Sequence, residues 1–194
     1  MILYINSCVR EDSRTDSIAR ELLHQLGGNY TELNLEQENL KPLTADTLNK
    51  RTAFIQDKQY SNPMFQYAKQ FAAANIIVIS APFWDLSFPA SLKVYIENIY
   101  ATGIVSRYKK DGTPEGLCKA SRLYYVTTAG GPYVPDYSFH YIRDLAQQYF
   151  GIPEVELIKA EMLDVDGYDA QAIVQKVKQE IRTDAVLSAY YKNV

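Results

Sequence analysis

Short apolar runs alternate with amphipathic stretches along the whole chain, and this alternation leaves few folds open. Ile2 to Asn6 reads as a short buried strand. The helix after it runs to about Leu26, with Ile18, Leu22, Leu23 and Leu26 on one face, and ends at Gly27 and Gly28. "YTELNL" alternates as a second strand. "TADTLNKRTAFIQ", with Thr44 as N-cap, and "PMFQYAKQFAAA" read as helices. Asn75 to Ser80 is a third strand, and Ala90 to Tyr100 a helix. "SRLYYVTT" is the fourth strand, and a helix from Ser138 to Phe150 ends at Gly151. "PEVELIKAEML" is the fifth strand, and Asp169 to about Tyr190 the last helix. Between the fourth helix and the fourth strand, "GIVSRYKKDGTPEGL" carries an Asp-Gly turn between two extended pieces and reads as a β-hairpin.

Strands that alternate with helices build a parallel sheet covered on both faces, with right-handed crossovers. Five of them suit the α/β flavodoxin-like three-layer fold, with strand order 2-1-3-4-5. A length of 194 residues fits a single domain spanning 1–194. In that order a ligand crevice opens at the carboxyl ends of strands 1 and 3, where the winding reverses. The loops after strands 1, 3 and 4 then converge. They are "SCVREDSRT", "APFWDLSFP" and "AGGPY".

Composition removes several classes of function. Net charge is −3 with no long basic run, which argues against nucleic acid or an anionic membrane as partner. Cys8 and Cys118 fit no metal spacing, and His24 and His140 form no cluster, so no metal site is expected. "MILYINSCVR" lacks the basic start of a signal peptide, and no apolar run approaches the ~20 residues of a membrane span. The expectation is a cytoplasmic protein with free thiols. Sixteen tyrosines, several in pairs, point to packing or interface roles.

The chemistry lies in the three loops. The first holds Ser7, Ser13 and Thr15, with Arg14 between the last two. Either these hydroxyls only cap the next helix, or they join its positive end and the arginine in holding an anion. The loop lacks Gly-x-Gly-x-x-Gly and the phosphate-loop lysine, so the anion it suits is a terminal monophosphate. In the third loop Gly130 and Gly131 serve either a tight turn or close backbone approach to a flat ligand. The second loop adds Phe83, Trp84 and Asp85. A phosphate site, a backbone edge and an aromatic wall together describe a pocket for flavin mononucleotide (FMN). Phe83 and Trp84 are then expected to wall the isoalloxazine, with Asp85 at its polar edge.

On "APFWDLSFPASLKVYIENIYATGIVSRY", "DGTPEGL" and "VTTAGGPY" the chain resembles the family of FMN-dependent NADH azoreductases and NAD(P)H:quinone oxidoreductases. The resemblance covers nearly its whole length. It implies that Ser7, Ser13, Arg14 and Thr15 hold the FMN phosphate. It implies that Pro82, Phe83, Trp84, Asp85 and Leu86, with Thr128, Ala129, Gly130 and Gly131, meet the ring. Asp85 stands where the family usually has an amide, and Leu86 where it has an aromatic. The family resemblance also implies a homodimer in which Tyr108, on the hairpin, reaches towards the partner subunit's flavin.

The implied chemistry is ping-pong transfer of two electrons from NADH or NADPH through the flavin to a quinone, azo or nitro compound. The cofactor supplies the reactivity, so no catalytic side chain is required. Backbone N–H groups of Gly130 and Gly131 are suited to charge that develops on the ring. Tyr133 either closes one wall of the substrate pocket or is an ordinary loop tyrosine. The alternative is a flavodoxin-like electron carrier without a pyridine-nucleotide site. A receiver domain lacks support, since strand 1 exits as "NSC" and strand 3 as "SAP" without the acidic residues it needs.

Overall fold

β1 (Ile2–Asn6), β3 (Ile76–Ser80) and β6 (Arg122–Thr128) are buried along almost their whole length. Their residues split by pleat. Leu3, Ile5, Ile77, Ile79, Leu123 and Tyr125 face one core, and Ile2, Tyr4, Ile76, Val78, Tyr124 and Val126 the other. Strands apolar on both faces belong inside a parallel sheet, and these three form its centre. β2 (Tyr30–Asn34) and β7 (Glu154–Ala160), more polar, are its edges. The order is β2-β1-β3-β6-β7, all parallel, with Ile2 beside Tyr30 and Ile76, and Ile76 beside Arg122. This is the expected flavodoxin-like order once the hairpin strands are set aside. The computed structural model describes residues 1–184.

α1 (Arg14–Gln25) and α6 (Ala170–Thr183) cover one face through Ile18, Leu22, Val174 and Ile181. α3 (Gln66–Ala73), α4 (Ala90–Ile99) and α5 (Phe139–Leu145) cover the other through Phe71, Leu92, Tyr95, Ile99 and Ile142. α2 (Ala45–Gln56) buries none of its residues fully, and Thr44 caps it in a reciprocal pair with Thr47. β4 (Ser106–Tyr108) and β5 (Pro114–Gly116) pair antiparallel as the hairpin. Among the described residues no helix is long and apolar enough to cross a membrane.

Two boundaries differ from expectation. The helix expected from Pro63 begins as a 3-10 turn, Pro63–Phe65, because Asn62 caps Met64 ahead of the regular helix. The helix expected over Ser138–Phe150 is α-helical only to Leu145 and ends as a π turn, Ala146–Phe150, before Gly151 at φ 77°. The last helix is capped by Asp169, and its expected reach to Tyr190 lies outside the described residues.

Candidate functional site

Beyond Asn6 the chain leaves the sheet, and the pleat decides which side chains meet the crevice. Ser7 points inward: its N–H and Oγ both donate to the Ser80 carbonyl, at 3.0 and 2.8 Å. Cys8, next in line, faces the cleft instead, and burial raises its thiol pKa. Ser13 caps α1, its Oγ accepting from Asp16 N–H at 3.2 Å. An accepting hydroxyl keeps its proton, so Ser13 still has a donor for an anion. Thr15 meets Thr128 hydroxyl to hydroxyl. Arg14 Nη1 donates to Asp164 Oδ1 at 2.8 Å and to the Leu163 carbonyl at 3.2 Å.

A polar network beneath holds this first turn of α1 in place. Asp16 accepts from Tyr4 Oη at 2.5 Å, Asn6 Nδ2 at 3.0 Å and Arg20 Nε at 2.7 Å. Glu32 shares Arg20 and Asn6. The Tyr4 phenol is pushed well above its ordinary pKa, first by burial and then by Asp16, and stays a donor.

After β3 the backbone continues beside the end of β6, with Phe83 N–H on the Thr128 carbonyl at 2.9 Å. Trp84 and Ser87 then exchange both backbone bonds, at 3.0 and 2.8 Å, around a two-residue turn. Asp85 and Leu86, at φ 49° and 67°, are its two members. Two positive φ values in a two-residue hairpin are the type I′ pattern, which glycine and asparagine adopt easily and leucine does not. The turn lifts Trp84 and Leu86 into solvent. Phe83 lies against Tyr133, ring centroids 4.5 Å apart.

Tyr133 is buried behind Phe83, its hydroxyl bonded to Asp136 Oδ1 at 3.0 Å and Ser138 Oγ at 2.5 Å. Burial pushes that phenol pKa up. Asp136 also accepts from Phe139 N–H at 2.8 Å, so the Tyr133 loop is tied to the start of α5. Glu161 accepts from Tyr133 N–H at 2.9 Å.

The loop after β6 is lengthened by the chain beyond β7. Ala129 N–H donates to the Ala160 carbonyl, and Leu163 and Asp164 N–H return bonds to Ala129 and Gly130. Of the paired glycines, only Gly130 is crowded: a Cβ there would lie 2.6 Å from Asp164 Oδ2. Gly131 meets open space.

The result is an open cleft of about 220 Å³. Ser13, Arg14, Thr15, Pro82, Phe83, Trp84, Thr128, Ala129 and Gly130 line it, as expected from sequence. Ser7, Asp85, Leu86, Gly131, Tyr108 and Tyr133 do not. Asp85 and Leu86 form the turn beside Trp84, and Tyr108 projects from the hairpin. Sequence reasoning missed Cys8, Val9, Arg10, Asp12, Leu163 and Asp164. The first four sit inside the loop already singled out. The last two come from the loop after β7, which carried no signal. Among the described residues no cluster of His, Cys, Asp and Glu could hold a metal ion. Hydroxyl donors, two arginines and aromatics thus line one cleft.

A family model described as flavodoxin-like fold matches residues 1–185. An FMN-dependent NADH:quinone oxidoreductase of Clostridium perfringens strain SM101 is 33% identical over 190 residues, 93% of each chain. One of Coprothermobacter proteolyticus is 31% identical over 194 residues, covering 92% of this chain and 94% of its own. Among solved structures, the azoreductase of Bacillus anthracis strain Sterne superposes with TM-score 0.82 at 20% identity, over 97% of this chain and 98% of its own. An FMN-dependent NADH-azoreductase from the Ames Ancestor strain of that species, solved in complex with FMN, gives 0.78 at 20% identity, over 98% and 97%. At such identities these two share the fold with this chain.

Proposed function

The chain belongs to the flavodoxin-like family of FMN-dependent NADH:quinone oxidoreductases, and from that membership we propose that it binds FMN in the cleft and passes electrons from NADH or NADPH to quinone, azo or nitro compounds. The observation that carries the reading is the convergence of Ser13, Arg14 and Thr15 with Phe83, Trp84, Thr128 and Gly130 around one cleft. Ser13, the Thr15–Thr128 pair and Arg14 bind the phosphate. Each hydrogen bond to that charged group is worth about 1.5–3 kcal/mol. Phe83, braced by Tyr133, and Trp84 flank the ring. The N–H group of Gly130 lies at its edge. Bound FMN supplies the two-electron chemistry, and the protein supplies position and exclusion of water.

One aromatic mouth serves donor and acceptor in turn, which is the origin of ping-pong kinetics. Tyr108 extends that mouth from the partner subunit of a twofold dimer. An active monomer in sedimentation at assay concentration removes that role. The relatives' names do not favour the electron-carrier alternative. The deciding experiment is the visible spectrum of the FMN-loaded protein before and after NADH, then NADPH, under nitrogen. Bleaching is expected, with parallel double-reciprocal plots when a quinone is varied. A flavin that neither nucleotide bleaches returns the protein to the electron-carrier class.

A further inference from the structure

The rim of the cleft is charge-balanced where an anion site should be positive. Arg10 and Arg14 line it, but so do Asp12 and Asp164. Asp164 is in direct contact with Arg14, Oδ1 to Nη1 at 2.8 Å, and both side chains are about half exposed or more. The backbone of Asp164 is anchored. Its backbone N–H donates to the Gly130 carbonyl at 2.8 Å, and Oδ2 lies over Gly130 where a Cβ would be only 2.6 Å away. Arg14 is itself anchored at the start of α1, next to Ser13 and Thr15. The guanidinium nearest the hydroxyl donors is therefore already engaged by an oxyanion that belongs to the protein.

Carboxylate and phosphate compete for the same fork of guanidinium donors. An exposed pair such as this one is weak, so an arriving phosphate can displace it. The displaced carboxylate stays near the site, since its backbone is fixed to Gly130. It stays beside a group carrying about 1.5–2 negative charges. We propose that Asp164 competes with the flavin phosphate for Arg14 and so holds cofactor affinity below what the donors alone would give. On this proposal the pair closes whenever no phosphate engages Arg14. Arg14 turns to the phosphate on binding, and Asp164 remains over Gly130 as a fixed repelling charge. The cofactor is then exchangeable, and its release is hastened by a carboxylate of the protein itself. This inference rests on the reading of the Ser13–Thr15 turn as the phosphate site.

The test is titration of flavin-free protein with FMN and, separately, with riboflavin, which has the ring and no phosphate. Wild type, Asp164→Asn, Arg14→Ala and the double variant are compared by flavin fluorescence. D164N is expected to bind FMN about fivefold more tightly at low salt, the effect of one unit charge near a dianion at high dielectric. The gain should come with slower dissociation, shrink as salt is raised, and be smaller in the R14A background, where only the direct repulsion between Asp164 and the phosphate remains. Riboflavin affinity should not change. Equal or weaker FMN binding by D164N overturns the proposal, and so does an equal gain for riboflavin. If the asparagine disturbs the loop, seen as a lowered thermal midpoint without flavin, Asp164→Ser gives the same readout. The underlying reading fails differently: wild type would bind FMN no more tightly than riboflavin, and R14A would be silent.

Discussion

The hydroxyls of Thr15 and Thr128 lie 2.6 Å apart and join the first turn of α1 to the last residue of β6. Two hydroxyls in contact spend one proton on each other and keep one to donate. At the proposed phosphate site the pair would therefore act as a unit. Thr15→Val and Thr128→Val are each expected to weaken FMN binding by about 1.5–3 kcal/mol. The double variant should lose far less than the sum, a coupling of about 1 kcal/mol or more. A double-mutant cycle on the FMN dissociation constant measures this, and additive losses would mean independent donors.

Ser13 caps α1 and, in the proposed function, also holds the phosphate, so its loss should appear in two measurements. Removing a serine N-cap costs about 1 kcal/mol of stability. Flavin-free Ser13→Ala should show that loss in urea denaturation, and FMN binding should weaken separately. Ser13→Ala with Thr15→Ala is expected to cost about 3–6 kcal/mol in FMN binding, less where water substitutes. An unchanged dissociation constant would put the phosphate elsewhere.

Leu86 at φ 67° bears a strain that glycine does not. Leu86→Gly is expected to raise stability by roughly 0.5–1 kcal/mol, the left-handed penalty less the entropy of glycine in the unfolded chain. Thermal denaturation checks it. A loss of stability would show that the exposed Leu86 side chain makes contacts worth more than the strain.

Asp85 is exposed in the same turn, at φ 49°. Asparagine is equally at ease there, so Asp85→Asn changes charge and little else. A carboxylate ~6 Å from a ring that gains negative charge on reduction repels it by roughly 3 kcal/mol at a dielectric of ~20, or on the order of 60 mV for two electrons. Solvent exposure reduces this to tens of millivolts. The midpoint potential of the Asn protein is expected to be higher by that amount, by spectroelectrochemical titration. Identical potentials would mean that Asp85 points away from the flavin.

Glu161 holds the loop that carries Tyr133. Its pKa is lowered first by the Tyr133 N–H, against an opposing effect of partial burial, and Lys159 helps. A carboxyl that is lowered on folding stabilises fully above its unfolded value, about 4.3. That stabilisation is lost as pH falls through the folded value. The thermal midpoint of flavin-free protein should therefore drop between about pH 6 and pH 3, and drop less in Glu161→Gln. Superimposable acid profiles for the two proteins would remove Glu161 from this role.

Much of the framework could be read from the chain because the burial pattern is written on both faces of β1, β3 and β6, and because Gly27–Gly28 marks the end of α1. The strand order then brought three loops together. The differences within those loops have local causes. Ser7 stands out in the sequence for its hydroxyl, but successive residues of an extended segment face opposite sides, and here Ser7 turns to Ser80 while Cys8 faces the cleft. The turn at Asp85–Leu86 contains no glycine to announce it. Asp164 arrives because Met162, at φ 67°, turns the chain back along Ala129 and Gly130, and nothing in "KAEMLD" signals that reversal.

Gly116 of the hairpin and Gly151 after α5 touch backbone to backbone: a Cβ on Gly116 would fall 2.1 Å from Gly151 N. No methyl group fits between them, and Gly151 needs its positive φ as well. Under mutation these two distant positions are a single locus, since an alanine at Gly116 has no compensating change at Gly151 to accept it. A library that randomises the hairpin to alter substrate choice should hold Gly116 constant and spend its diversity between Arg107 and Thr113.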